Sequence, residues 1–179
     1  MHNYYALYVN KIPVGILGAS GYAGGVLREL VRGHPSLRLA FAASRSGGAT
    51  GDGDALIAAD DAPLGDAALV FSALPHGVSA AWVDRATRAG AAVVDLSSDL
   101  RPGSGRTDAP YGITELARDE VRAASVVANP GCYPTSVILA LAPLLRRRLI
   151  AADGTISVAA ASGVTGAGAS PRRELLFAE

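Results

Sequence analysis

A short apolar run, Pro13-Val14-Gly15-Ile16-Leu17, meets the turn Gly18-Ala19-Ser20-Gly21-Tyr22-Ala23-Gly24 and then a helical pattern over residues 22–32. This junction constrains the chain more than any other feature. The run has the length and apolarity of a buried strand. The glycines are spaced G-x-x-G-x-x-G, so the backbone can turn tightly and leave a helix N-terminus bare. Val26, Leu27, Leu30 and Val31 are expected to form the inward face, with Gly33 and Pro35 stopping the helix. A strand, a small-residue turn and a helix in that order can cradle a dinucleotide pyrophosphate. Gly18, Ser20, Gly21, Tyr22, Ala23 and Gly24 are therefore the first cofactor-binding candidates.

The alternation continues along the chain. Strands are expected at Leu37–Ala43, Ala68–Leu74, Ala91–Leu96 and Ser125–Ala128, with a helix from about Val78 to Ala89 closed by Gly90. Repeated strand–helix units imply parallel strands joined by right-handed crossovers. The expected class is α/β: a doubly wound, Rossmann-type parallel sheet. Residues 46–66 read as a loop with room for a short helix, and 102–110 as a polar surface loop. After residue 150 the pattern changes: Thr155–Ala160 is strand-like, Ser162–Gly168 is a glycine-rich turn, and a new helix is expected to begin before Glu179. The division expected is 1–150 for the cofactor domain with its cysteine loop, and 151–179 for the beginning of a second, α+β domain.

Composition narrows the partners. Formal net charge is zero, which gives no electrostatic footprint for nucleic acid or an anionic membrane. Arg146-Arg147-Arg148, the one basic run, falls at a helix end, where cations suit the dipole. The first eight residues lack a basic segment followed by an apolar one, so no signal peptide is expected, and no run is long enough to span a bilayer. One cysteine excludes an internal disulfide and fits a reducing, cytoplasmic setting. The three histidines, His2, His34 and His76, have no metal-ligand spacing.

Two places carry chemistry. The second strand runs into Ser44-Arg45-Ser46, where NAD-preferring sites place an acidic residue for the ribose 2′-hydroxyl. An arginine between serines suits a 2′-phosphate instead, so Ser44 and Arg45 point to NADP(H). The other place is Asn129-Pro130-Gly131-Cys132-Tyr133-Pro134-Thr135-Ser136. Pro134 suits a first helical turn, and Val137, Ile138, Leu141, Leu144 and Leu145 continue at helical spacing. A thiol at a helix start meets unpaired N–H groups and the positive end of the dipole, which favour the thiolate. The alternative is a small buried hydrophobe. A thiolate beside a nicotinamide cofactor suits acyl-level chemistry, in which a thioester accepts hydride.

The motifs Gly18–Gly24, Ala73-Leu74-Pro75-His76-Gly77, Asp95-Leu96-Ser97-Ser98-Asp99-Leu100-Arg101, Tyr111-Gly112-Ile113-Thr114-Glu115-Leu116, Asn129–Ser136 and Ser162-Gly163-Val164-Thr165-Gly166-Ala167-Gly168 occur in this order. Together they resemble the N-acetyl-gamma-glutamyl-phosphate reductases of arginine biosynthesis, from about residue 13 to the end. The resemblance implies NADPH-dependent reduction of N-acetyl-glutamyl 5-phosphate to the semialdehyde, with Cys132 as nucleophile. It implies cofactor contacts at Pro75, Ser162, Gly163 and Gly166, and substrate contacts at Ser98, Arg101, Tyr111 and Asn129. It also implies a homo-oligomer, a tetramer in similar enzymes. Similar enzymes run about twice this length and use a histidine well after the cysteine as acid/base, whereas no histidine follows Cys132. The loop at 102–110 is shorter than its counterpart, and Ala161 and Ala169 stand where Lys and Arg are common. The chain thus reads as an N-terminal portion. Reductases of aminoadipyl or aspartyl phosphate, and a non-catalytic NADP-binding module, are the alternatives.

Overall fold

The computed structural model describes residues 11–51, 53–106, 108–151 and 153–168. The expected helix near the end of the chain, His2 and Ala169 lie outside them. Seven strands form one sheet: β1 Ile12–Leu17, β2 Leu37–Ser44, β3 Gly48–Ala49, β4 Ala55–Ala58, β5 Leu69–Ser72, β6 Ala92–Asp95 and β7 Val126–Ala128. Their order is β3-β4-β2-β1-β5-β6-β7, and every neighbouring pair is parallel except β3 with β4. From β1 the chain winds to β2 on one side and later to β5 on the other. That reversal opens a crevice at the carboxyl ends of β1 and β5, where doubly wound sheets take ligands.

Among the described residues four α-helices accompany the sheet: α1 Tyr22–Gly33, α2 Ser79–Arg88, α3 Thr114–Ala123 and α4 Cys132–Arg146. The two faces of the sheet carry separate cores, because successive side chains of a strand point to opposite faces. Val14, Ile16 and Ala42 pack with Val31 of α1, while Leu17, Val70 and Val93 pack with Val83 and Ala86 of α2.

Four expectations change. The helix α1 forms at the expected residues but is rotated: Gly24, Arg28 and Val31 are buried, while Val26 and Leu30 are 54% and 64% exposed. Gly24 has to face the Gly18 turn, and that contact sets which residues follow it inward. Arg28 enters the interior with a partner, an ion pair to Asp54 that ties α1 to the β3–β4 hairpin. Residues 46–66 are not simply a loop. They contain that hairpin, and β4 extends the sheet beside Ala43 and Ser44, followed by 3-10 turns at Ala59–Asp61 and Leu64–Asp66. The helix α3 crosses over from β6 to β7 in a stretch where none was expected. Thr155–Ala160 is not a strand: residues 153–166 are exposed throughout and pair with no strand among the described residues. A strand requires a partner ladder for its N–H and C=O groups. No described helix is long and apolar enough to cross a membrane.

Candidate active site

Five loops leave the carboxyl ends of the parallel strands β1, β2, β5, β6 and β7, and together they hold most of the candidate residues. The first is the glycine turn. Gly18 has φ +77°, and a Cβ built there would lie 2.4 Å from the Ala73 carbonyl oxygen. A Cβ at Gly24 would lie 2.3 Å from the Gly18 carbonyl oxygen. Larger residues at either position would separate β1 from β5 or lift α1 off the turn. The turn is closed by the Gly21 N–H donating to the Gly18 carbonyl at 3.1 Å. Gly21 is the N-cap of α1, no side chain caps that end, and its first turn holds no acidic residue. Ser20, Tyr22 and Ala23 are exposed around it. The result is a bare helix N-terminus facing the crevice edge, a geometry that fits a phosphate.

The turn after β2 divides the Ser44-Arg45 pair. Ser44 is buried and its hydroxyl donates to the Gly47 carbonyl at 2.9 Å, so it shapes the turn. Arg45 is exposed on the outside of that turn.

The loops after β5 and β6 are fastened to each other. Asp95, fully buried at the end of β6, accepts the Ser79 hydroxyl at 2.5 Å, the Ser97 hydroxyl at 2.7 Å and the Ser97 N–H at 3.1 Å. Because Ser79 gives its one proton to Asp95, the Ser72 hydroxyl donates to Ser79 in the 2.5 Å contact between them. Asp99 accepts from the backbone N–H of Gly77 at 2.7 Å and of Ala80 at 3.2 Å, thereby capping α2 from another loop. Burial pushes the Asp99 carboxyl upward, but the N–H groups of Gly77, Ala80 and Ser79 and the neighbouring His76 outweigh it and hold it below its usual value. The Ser98 N–H donates to Nδ1 of His76 at 2.8 Å. Pro75 and Ser98 are exposed at this mouth.

The fifth strand-end loop, after β7, carries the cysteine. The Asn129 N–H donates to the Asp95 carbonyl at 2.8 Å, extending the β6–β7 ladder by one rung into the loop. Gly131 is the N-cap of α4 and Cys132 its first residue. Thr135 closes the first turn, its hydroxyl and N–H both donating to the Gly131 carbonyl. Cys132 is exposed, so the buried-hydrophobe reading falls. Tyr111 forms an isolated parallel bridge with Ala128, which sets the Tyr111–Leu116 motif beside the cysteine loop. Arg101 reaches the same loop, its Nε donating to the Asn129 carbonyl.

Ser162, Gly163 and Gly166 are not brought into this arrangement. They are exposed, and the hydrogen bonds of their segment are local, such as Gly166 N–H to the Gly163 carbonyl. Sequence reasoning also missed the polar lock itself. Its signal was present as Asp95, Ser97 and Asp99, three polar residues on alternate positions where a strand ends.

The sequence model of the semialdehyde dehydrogenase NAD-binding domain matches residues 13–124, from β1 to the end of α3. The chain belongs to the semialdehyde dehydrogenase family. The family's dimerisation-domain model matches residues 132–179, beginning at Cys132. Among curated relatives, N-acetyl-gamma-glutamyl-phosphate reductase of Salinispora arenicola is 43% identical over 194 residues, covering 94% of this chain and 57% of the relative. The enzyme of that name from Moorella thermoacetica is 37% identical over 198 residues, with 94% and 56% covered. The chain thus spans a little over half the length of the curated relatives it matches. Aspartate semialdehyde dehydrogenase II of Vibrio cholerae, solved in complex with ASA, shares the fold at TM-score 0.62 and 22% identity over 76% of this chain and 43% of its own. The Candida albicans aspartate semialdehyde dehydrogenase solved with NADP does so at 0.62 and 17%, over 76% and 47%.

Proposed function

We propose that this chain carries the cofactor domain and the nucleophile of an NADPH-dependent N-acetyl-gamma-glutamyl-phosphate reductase. The observation that carries the reading is the exposed Cys132 at the first residue of α4, on the same sheet edge as the bare N-terminus of α1. The identity to relatives of that name favours the glutamyl substrate over aspartyl or aminoadipyl phosphate, and a reductase over a non-catalytic module. Bound NADPH supplies the hydride. The Gly18–Gly24 turn holds its pyrophosphate, Arg45 meets the 2′-phosphate and Pro75 lines the crevice.

The Cys132 thiolate attacks the acyl carbon, and the carbon–oxygen bond to phosphate breaks with its electron pair leaving on inorganic phosphate. The thioester so formed on Cys132 takes up hydride at the same carbon. The tetrahedral adduct then loses the thiolate and becomes the aldehyde. Ser98, Tyr111 and Asn129 border the mouth on the substrate side. Residues 1–150 form the cofactor domain with this loop, and residues 151–179 begin a second domain through which copies assemble. The setting is the cytoplasm, in keeping with a single free thiol.

The test is phosphate-dependent NADP reduction with N-acetylglutamate semialdehyde. Turnover that Cys132→Ala abolishes supports the reading; NADP binding without turnover rejects catalysis by this chain alone, and failure to bind NADP overturns the reading. KM for NADPH should lie roughly tenfold or more below KM for NADH, since a charge-assisted hydrogen bond contributes about 1.5–3 kcal/mol. Equal values would remove Arg45 from the proposal.

A further inference from the structure

The Asp95 carboxylate takes no part in the chemistry above, yet Asp95 stands where three strand-end loops meet. It is the last residue of β6 and is fully buried, as are Ser72, the last of β5, and Ser79, the first of α2. A chain of hydroxyls joins them: Ser72 donates to Ser79, and Ser79 to Oδ1 of Asp95, each at 2.5 Å. The two serines are the roots of the loop 73–78, whose outer residues 75–78 are exposed. Their contact closes that loop at its neck, and the carboxylate pins the neck to β6. Ser97 donates its hydroxyl to Oδ2 at 2.7 Å and its N–H to Oδ1 at 3.1 Å, which fixes the start of the loop after β6. The Asp95 carbonyl accepts the Asn129 N–H at 2.8 Å, which fixes the start of the cysteine loop.

Burying a carboxylate is costly unless hydrogen bonds replace its water. A buried network whose members are all paired specifies one arrangement of the segments it joins, because its bonds are directional. The loop 73–78 begins against the glycine turn, where a Cβ on Gly18 would lie 2.4 Å from the Ala73 carbonyl oxygen and 3.2 Å from the Leu74 nitrogen. A dinucleotide with its 2′-phosphate on the β2 side and its pyrophosphate at α1 crosses the crevice and brings its nicotinamide half to this loop. We infer that Asp95 is a positioning residue. Through Ser79 and Ser72 it sets the place of residues 75–77 against the nicotinamide half of the cofactor. Through Ser97 and its own carbonyl it keeps them in register with the loop after β6 and the cysteine loop. The inference rests on the NADP reading of the crevice, but its test does not need turnover.

The test compares NADP with adenosine 2′,5′-bisphosphate, which keeps the adenosine half of the cofactor and lacks the nicotinamide half. Affinities for both are measured by titration calorimetry in the parent chain and two variants. Asp95→Asn keeps the shape but has one acceptor oxygen for the two serine hydroxyls. Ser72→Ala opens the neck and leaves both Asp95 oxygens served, so it decides the matter even if the first variant fails to fold. The parent should bind NADP more tightly than the bisphosphate. Each variant should bind NADP about 3- to 10-fold more weakly, what one or two hydrogen bonds are worth, and the bisphosphate as the parent does. A merely structural role would weaken both ligands alike or neither. Either of those results in a folded variant overturns the inference, and so does a parent that binds the two ligands equally. A parent that binds neither ligand overturns the NADP reading itself, and the inference with it.

Discussion

Gly18 and Gly24 meet across a single carbonyl, and their two constraints differ in kind. At Gly18 the left-handed backbone alone costs an L-residue about 1–2 kcal/mol, before any clash with Ala73. At Gly24 the backbone is helical and only the space is missing. Gly18→Ala should lower unfolding stability by roughly 2–4 kcal/mol, the range for strain plus a steric conflict. Gly24→Ala should also destabilise, although alanine is the better helix former by about 1 kcal/mol. Gly25 is the internal contrast: nothing but a flexible Arg28 atom approaches its Cβ position, at 3.9 Å. Gly25→Ala should be neutral or mildly stabilising. Urea midpoints of the three variants check this; equal shifts would mean that the turn is not tightly fitted. The spacing of these glycines was visible in the sequence. Which atom each one makes room for was not, because Ala73 lies just past the end of β5, more than fifty positions away.

At the scale of elements, α2 begins without a side-chain cap of its own, and Asp99 supplies one from the loop after β6. Loss of such a cap costs about 0.5–2 kcal/mol. Because the Asp99 carboxyl is held below its usual value in the folded chain, the unfolded chain binds its proton first as pH falls. Its contribution is therefore complete above the ordinary aspartate pKa of about 3.9 and fades as pH drops through the lowered folded-state value. Asp99→Asn should be less stable than the parent at pH 7, with the difference shrinking below about pH 4. Urea titrations across that range would contradict the assignment if the difference were independent of pH. The elements themselves were legible where period and punctuation agreed: β1, β2, β5, β6, β7, α2 and the start of α4. The strand β4 escaped because four residues among glycine and aspartate text carry too little pattern, and its place depends on the end of β2. The rotation of α1 escaped because Val26 and Leu30 are as apolar as Val31. Only the approach of Gly24 to the turn chooses between those faces.

Across the whole molecule, apolar surface remains uncovered in connected places. Tyr22, Val26 and Leu30 are exposed at four-residue spacing along α1. The helix α4, apolar in most of its sequence, buries no residue completely, and Leu149, Ile156, Val158 and Val164 extend the exposed set beyond it. Exposed apolar faces of this kind associate. The chain expressed alone should form oligomers or aggregates, and a monodisperse monomer by light scattering at micromolar concentration would contradict this. The class of fold, the glycine turn between β1 and α1 and the place of the one thiol at a helix start were legible in the sequence itself, since strand–helix alternation, glycine spacing and a lone cysteine are local properties. Tertiary structure alone decided how these parts act together. Asp95, Ser79 and Ser97 lock two loops, Arg101 reaches across a third, and Ser44 turns its hydroxyl inward. Ser79 with Asp95 and Arg101 with Asn129 are contacts that only the winding of the sheet brings within hydrogen-bond reach, and a hydrogen bond is too short-ranged to leave a trace in sequence spacing.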